Sequence, residues 1–344
     1  MSSNGTTTIE LPTYKASDFA SDQDVRWCPG CGDYAVLTGI RKALAKMPNK
    51  KEDYVFVSGI GCAARFPYYM ETYGLHSIHG RSLAVATGVK MANPDLQVCI
   101  VSGDGDLLSI GGNHTLHALR RNIDLTIVLL NNEIYGLTKG QASPTSEVGK
   151  VTKSTPLGSV DQPINPLQFA LASGATFVAR SVDVDLKNFD TIYKRAMEHK
   201  GAALIEVYQD CNIFNHAIWF YASQKDTKAD TTIVLEHGKP MVFGKDKDKG
   251  LRMIGSGFEV VELGGSYTED DLWVHDETDR RVAFMLCQLE HPDFPEPLGV
   301  LYADTAKASH GMRIHQQLES ELARSDAGDL QAMINGRSTW EIHG

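Results

Sequence analysis

Two short stretches hold residues suited to chemistry at a spacing that a fold can use. Gly103-Asp104-Gly105-Asp106 and Asn131-Asn132 each follow an apolar run, residues 98–101 and 125–130, and Asp104 and Asn132 stand 28 positions apart. That interval accommodates one turn, one helix and one strand. A right-handed crossover then brings both loops to the same carboxyl-terminal edge of a parallel sheet, where open α/β sheets bind ligands. A carboxylate oxygen from Asp104, an amide oxygen from Asn132 and a backbone carbonyl near Ile134 suit Mg²⁺, which takes six oxygens and accepts the rest from phosphate. Gly103 and Gly105 let the backbone turn tightly and approach a diphosphate closely. Gly, Asp and Asn also build ordinary turns, so the strand context and the spaced Asn pair carry the reading.

The cysteines form the second set. Trp27-Cys28-Pro29-Gly30-Cys31 precedes a helical pattern and admits three readings. A thioredoxin-type thiol pair follows a strand, and residues 23–26 are not strand-like. A structural zinc site needs a second closely spaced pair, and the sequence has no other C-x-x-C. A [4Fe–4S] cluster needs four thiolates. Cys62 follows the strand-like residues 54–57 and Cys211 follows 203–208, so both are expected at the edge that carries Asp104 and Asn132. Cys99 and Cys287 fall within apolar runs read as strands and are expected to be inert core residues.

A third loop, Gly59-Ile60-Gly61-Cys62-Ala63-Ala64, superficially matches G-x-G-x-x-A. A dinucleotide site also requires an acid at the end of a second strand about 20 residues on. His79-Gly80-Arg81 occupies that region and ends no evident strand. His79 is suited either to a diphosphate oxygen or to a structural hydrogen bond. His114 and His117, three apart on a helix, read as surface or subunit-contact residues.

The elements that must hold these loops alternate. Asp33 caps a helix with apolar residues at Val36, Leu37, Ile40, Leu44 and Met47, stopped by Pro48. Helices at 83–91 and 115–121 separate strands at 54–57, 98–101 and 125–130. Asn165-Pro166 opens another helix that Gly174 closes. A strand at 177–179, an amphipathic helix from Leu186 to Met197 and a strand at 203–208 follow. This order predicts an α/β fold, a parallel sheet with helices on both faces. Residues 1–21 read as a polar lead-in, 22–222 as the cofactor-binding α/β domain and 223–344 as a C-terminal extension. Within the extension, 233–236 and 240–243 around His237-Gly238 suggest a hairpin, 283–289 a strand and 316–324 a polar helix.

Composition narrows the class. The 344 residues are 42% hydrophobic and 22% charged, ordinary for a globular protein. The formal net charge of −10 argues against non-specific binding to nucleic acid or an anionic membrane. No apolar run reaches the length of a membrane span, and the Ser/Thr-rich start has no secretory pattern. A cytoplasmic protein with reduced thiols is the expectation, and six cysteines are too few for a disulfide scaffold.

Gly-Asp-Gly followed by the spaced Asn pair resembles the thiamine diphosphate signature, which implies Asp104, Asn132 and the Ile134 carbonyl as Mg²⁺ ligands. The Cys-Pro-Gly-Cys-Gly opening, the Gly-Ile-Gly-Cys loop, His-Gly-Arg, Gly-Asp-Gly-Asp and Asn-Asn-x-x-Tyr-Gly-Leu-Thr-Lys-Gly-Gln occur here in one order. Together they resemble the β subunits of 2-oxoacid:ferredoxin oxidoreductases, most of all those acting on 2-oxoglutarate. The resemblance covers roughly 26–216 and touches the tail from 233 to 302. It implies a thiamine diphosphate-binding fold, with cofactor contacts from Ile60, Gly61, Cys62, Ala63, His79, Gly103, Gly105, Asp106, Asn132, Gly136 and Leu137. It also implies a [4Fe–4S] cluster on Cys28, Cys31, Cys62 and Cys211. The implied reaction is oxidative decarboxylation of 2-oxoglutarate with coenzyme A to succinyl-CoA and CO₂, or the reverse, with electrons passed singly to ferredoxin. The chain carries one diphosphate motif set, so the resemblance implies an α subunit that supplies the pyrimidine-binding Glu, in a heterodimer or heterotetramer. Lys139 is suited to a distal substrate carboxylate, which favours 2-oxoglutarate over pyruvate; a lysine in a polar loop is more often simply solvated. The alternatives are pyruvate or a branched 2-oxoacid as substrate, a non-redox thiamine diphosphate decarboxylase component, and a metal-stabilised scaffold without cofactor.

Overall fold

A computed structural model of the chain describes residues 13–324 and 328–344. Its centre is an eight-stranded sheet of β1 (Tyr54–Ser58), β2 (Tyr73–His76), β3 (Gln97–Gly103), β4 (Leu125–Asn131), β5 (Phe177–Val182), β6 (Ala202–Tyr208), β7 (Thr232–Leu235) and β8 (Glu296–Ala303). The order across the sheet is β2-β1-β3-β4-β6-β5-β8-β7. Neighbours are parallel except β5 and β8, which are antiparallel with a register shift between Val300 and Tyr302.

Each inner strand is apolar on both sides because each face is covered. Tyr54 and Phe56 of β1 pack under α1 (Asp33–Leu44) and α5 (Leu186–Glu198). Val55 and Val57 pack on the other face with α2 (Ser82–Ala92), α3 (Gly112–Arg121), α4 (Pro166–Ala172) and α6 (Arg280–Leu286). The period of two in β1 therefore serves two cores. Helix α4 begins as its sequence requires: Asn165 accepts hydrogen bonds from the Leu167 and Gln168 amides, and Pro166 occupies a position where no donor is needed.

Four sequence expectations need correction. Residues 283–289 are not a strand: Arg280–Leu286 is helix α6, capped by Asp279, which accepts from the Arg281 and Val282 amides. Cys287 is the buried residue that ends this helix, and Cys99 lies in β3 as expected. The 233–243 hairpin is absent. Thr232–Leu235 pairs in parallel with β8, while Val242–Phe243 joins an antiparallel sheet with Lys249–Ile254 and Gly257–Glu262. An edge strand, β2, was missed between Cys62 and His79; all four of its residues are exposed, so no burial pattern marks it. Finally, order begins before residue 22. Residues 1–12 lie outside the described part, but Phe19, in a short turn of helix at Ala16–Phe19, is fully buried and packs edge-on against Tyr54. The region after 222 supplies β7 and β8 to the common sheet, and helix His310–Arg324 follows it.

Candidate functional site

The carboxyl ends of β1, β3, β4 and β6 form one rim, as their shared direction requires. A cavity of about 560 Å³ opens there, lined by Ile60, Gly61, Cys62, Ala63, His79, Gly103, Asp104, Gly105, Asp106, Asn132, Ile134, Gly136 and Leu137 among others. Every expected cofactor-contact residue and every expected Mg²⁺ ligand therefore borders one space. No His, Cys, Asp or Glu trio among the described residues closes around a single ion. A divalent cation here would rely on Asp104, Asn132 and main-chain oxygen, with the remaining ligands from a diphosphate.

The two acidic residues of the Gly-Asp-Gly-Asp loop do different work. Asp104 is 2% exposed, and burial raises its carboxyl above the usual range, a cost that a divalent cation would relieve. Thr145 donates to its Oδ2 at 2.6 Å. The same hydroxyl lies 3.0 Å from Asn131 Oδ1, and Asn131 in turn donates to Glu206 at 2.8 Å. Glu206 is held by Arg180, which also pairs with Glu296 of β8. The later part of the chain thus anchors the Asp104 loop through a buried polar series.

Asp106 borders the cavity and also ties its loops together. Its Oδ1 accepts from the Ile60 amide at 3.0 Å, the Gly80 amide at 2.7 Å and His79 Nδ1 at 2.7 Å, while Ser102 donates to Oδ2. With both oxygens taken by protein donors, Asp106 acts as a clamp. It joins the Gly59–Ala64 loop to the His79-Gly80 loop and fixes the His79 ring, leaving Nε2 for a ligand. A β-carbon at position 59 would stand 1.9 Å from the Asp106 carboxylate, so this clamp is the reason that position is Gly.

Beside the cavity lies a smaller pocket of about 220 Å³ that Cys28, Cys31, Cys62 and Cys211 line together. Three loops converge to make it. The Cys31 amide donates to the Cys28 carbonyl, and Gly30 takes φ +85° to close that turn. The Gly32 amide donates to Asp210, and Asn212 Nδ2 donates to the Pro29 carbonyl at 2.6 Å, joining the first loop to that of Cys211. Trp27 Nε1 donates to the Cys62 carbonyl at 2.8 Å, joining it to the third. All four thiols are free. Burial, then the Asp33 carboxylate and to a lesser degree the neighbouring thiols, push the Cys62 thiol up to about 12 and raise Cys31 well above the ordinary thiol range. The four together line one space, no trio of them closes around a single ion among the described residues, and four thiolates are the number a [4Fe–4S] cluster requires. Gly136 forms the facing wall: a β-carbon there would lie 3.5 Å from Cys211 Sγ and 3.8 Å from Cys62 Sγ.

The pocket and the cavity share Cys62, Asn132, Gly136, Leu137 and Gln209 as a common wall. Lys139 falls on the pocket side, exposed and with φ +76°, and does not line the cavity. Sequence reasoning missed Thr145, in a Ser/Thr/Pro run that reads as a plain loop, and Gln209. The one available signal for Gln209 was its position directly after a strand at the functional rim.

Comparison with known proteins agrees with this geometry. Residues 59–207 match the family described as thiamine pyrophosphate enzyme, C-terminal TPP binding domain. The 2-oxoglutarate oxidoreductase subunit KorB of Mycobacterium tuberculosis is 47% identical over 342 residues, covering 98% of this chain and 91% of that one. The subunit beta of 2-oxoacid:ferredoxin oxidoreductase 1 of Aeropyrum pernix is 47% identical over 71% of this chain and 80% of its own. A solved 2-oxoglutarate:ferredoxin oxidoreductase from Magnetococcus marinus, with 2-oxoglutarate, coenzyme A and succinyl-CoA bound, superposes with a TM-score of 0.75 at 32% identity, covering 95% of this chain and 97% of that one.

Proposed function

For a chain that belongs to the family of 2-oxoacid:ferredoxin oxidoreductase β subunits, we propose the oxidative decarboxylation of 2-oxoglutarate with coenzyme A to succinyl-CoA and CO₂, or its reverse. Two electrons leave one at a time through a [4Fe–4S] cluster to ferredoxin. The observation that carries the reading is the shared wall: four thiols line a pocket that adjoins the cavity of Asp104 and Asn132. The similarity to two proteins named for 2-oxoglutarate supports the substrate.

Thiamine diphosphate supplies a nucleophilic carbon and an electron sink when bound. The chain's own residues hold and orient it. Asp104, Asn132 and the Ile134 carbonyl would carry Mg²⁺. His79, fixed by Asp106, offers Nε2 to a diphosphate oxygen, and the backbone of 60–63 approaches closely because Gly61 adopts φ +132°. Cys28, Cys31, Cys62 and Cys211 would hold the cluster, and Cys62 stands at both sites, which keeps the electron path short. The pyrimidine-binding Glu comes from an α-subunit partner, in a heterodimer or heterotetramer, and the complex works in the cytoplasm.

The test is anaerobic turnover. The chain purified with its α partner should release CO₂ from 2-oxoglutarate over many turnovers only with coenzyme A and oxidised ferredoxin present, and the isolated chain with thiamine diphosphate should release none. Sustained CO₂ release, many equivalents per site, without any electron acceptor would support a non-redox decarboxylase component, a reading that leaves the four converging thiols without a task.

A further inference from the structure

Gln209 is 1% exposed and lies in the wall between the two spaces. Its amide orientation follows from backbone groups, which cannot be flipped. The Ile134 N–H donates to Asn132 Oδ1 at 3.2 Å, so the other atom of that amide is Nδ2. Asn132 Nδ2 lies 2.7 Å from Gln209, which must present an acceptor there, Oε1. Gln209 Nε2 then donates to the Asp210 carbonyl at 2.6 Å, consistent with this assignment, and its second N–H faces Cys31 Sγ at 3.3 Å. All three hydrogen-bonding functions of the side chain are used: one on an expected metal ligand, one on an expected iron ligand, and one on the main chain that locks it in place.

We propose that Gln209 is a positioning residue that serves both centres at once. Its Oε1 holds the Asn132 amide so that the oxygen is presented to Mg²⁺, and its Nε2–H donates to the Cys31 sulfur and thereby sets the cluster's reduction potential. The inference rests on the functional reading above, with Asn132 as metal ligand and Cys31 as iron ligand. A donor to a cluster thiolate stabilises the more negative, reduced state and so raises the potential. Partners of this kind change metal affinity by about 10–100-fold when removed. A hydrogen bond to a charged group is worth about tenfold in a redox ratio.

Two variants separate the two roles. Gln209→Met keeps the volume and loses every hydrogen bond. Gln209→Glu keeps an acceptor toward Asn132 and loses the donors toward Cys31 and Asp210. In the complex with the α partner, the measurements are the midpoint potential by EPR-monitored titration and the Mg²⁺ concentration that half-saturates thiamine diphosphate binding. The expected result for Gln209→Met is a lower potential, with the reduced fraction at fixed poise down about tenfold, and a Mg²⁺ requirement raised about tenfold or more. Gln209→Glu should lower the potential while leaving the Mg²⁺ requirement within about threefold of wild type. An unchanged potential in either variant overturns the proposal, as does an equal loss of Mg²⁺ affinity in both. Should Gln209→Glu hold no iron, Gln209→Met decides alone. A wild-type complex without iron would instead sink the functional reading itself, so the two failures are distinguishable.

Discussion

Replacing Gly136 with Ala adds one methyl group where the account puts a metal cluster. The added carbon would lie 3.5 Å from Cys211 Sγ, 3.8 Å from Cys62 Sγ and 4.0 Å from Phe214 Cδ2. These are ordinary van der Waals separations, and Gly136 is not among the residues with positive φ. The iron-free fold should therefore tolerate the change to within about 1 kcal/mol, and the loss of glycine's freedom in the unfolded chain offsets part of any cost. The cluster should not tolerate it. Metal–thiolate bonds are about 2.3 Å long, so a cluster held by these thiols would need room that a carbon 3.5 Å from one sulfur and 3.8 Å from another narrows. The assay pairs iron and acid-labile sulfide analysis of anaerobically purified protein with thermal unfolding of the iron-free form. Gly136→Ala should lose more than about half its iron and its visible absorption while the iron-free midpoint moves by less than about 3 °C. A variant with full iron content would refute the claim that the four thiols close around this space.

Three further expectations follow from the same structure. His275 donates from Nε2 to the Val300 carbonyl at 2.9 Å, and its buried Nδ1 has no partner among the described residues, so burial holds its pKa below 6.5. A folded value depressed below the unfolded one gives stability that is present above pH 6.5 and lost as pH falls through the folded value; the unfolding midpoint should drop below pH 6.5, less steeply in His275→Gln, and parallel slopes would remove the assignment. Phe19→Ala should cost about 3–5 kcal/mol in chemical unfolding, since the side chain is fully buried against Tyr54; a loss under 1 kcal/mol would return this segment to a loose lead-in. Lys139→Ala should leave KM for 2-oxoglutarate within about threefold, because the side chain lies outside the larger cavity; a tenfold rise would refute this and support a substrate role.

Most of the rim was readable from one rule applied several times: residues just past parallel strands share an edge. Cys62 past β1, Asp104 past β3, Asn132 past β4 and Cys211 past β6 all obey it, because strands buried on both faces give uninterrupted apolar runs that are easy to find. The same run misleads where it is short. Val282 to Leu286 is as apolar as a strand, and the deciding signal, Asp279 capping two amides, lies outside the run. Tyr73–His76 is exposed along its length and so leaves no pattern of burial. Asp106 was legible as part of a motif but not as a clamp, because its partners Ile60, His79 and Gly80 come from loops far back in the chain. Thr145 and Gln209 depend in the same way on the tertiary approach of loops that no local pattern encodes.

The most direct test of the central claim is EPR spectroscopy of the anaerobic complex before and after adding 2-oxoglutarate and coenzyme A, with no ferredoxin present. If the thiamine diphosphate cavity and the sulfur pocket work as neighbours across Cys62, Gly136 and Gln209, substrate should bleach the visible absorption and produce the signal of a reduced [4Fe–4S] cluster, alongside CO₂ release. CO₂ evolved while the cluster stays oxidised, or a complex whose four cysteines hold a single zinc ion, would contradict it.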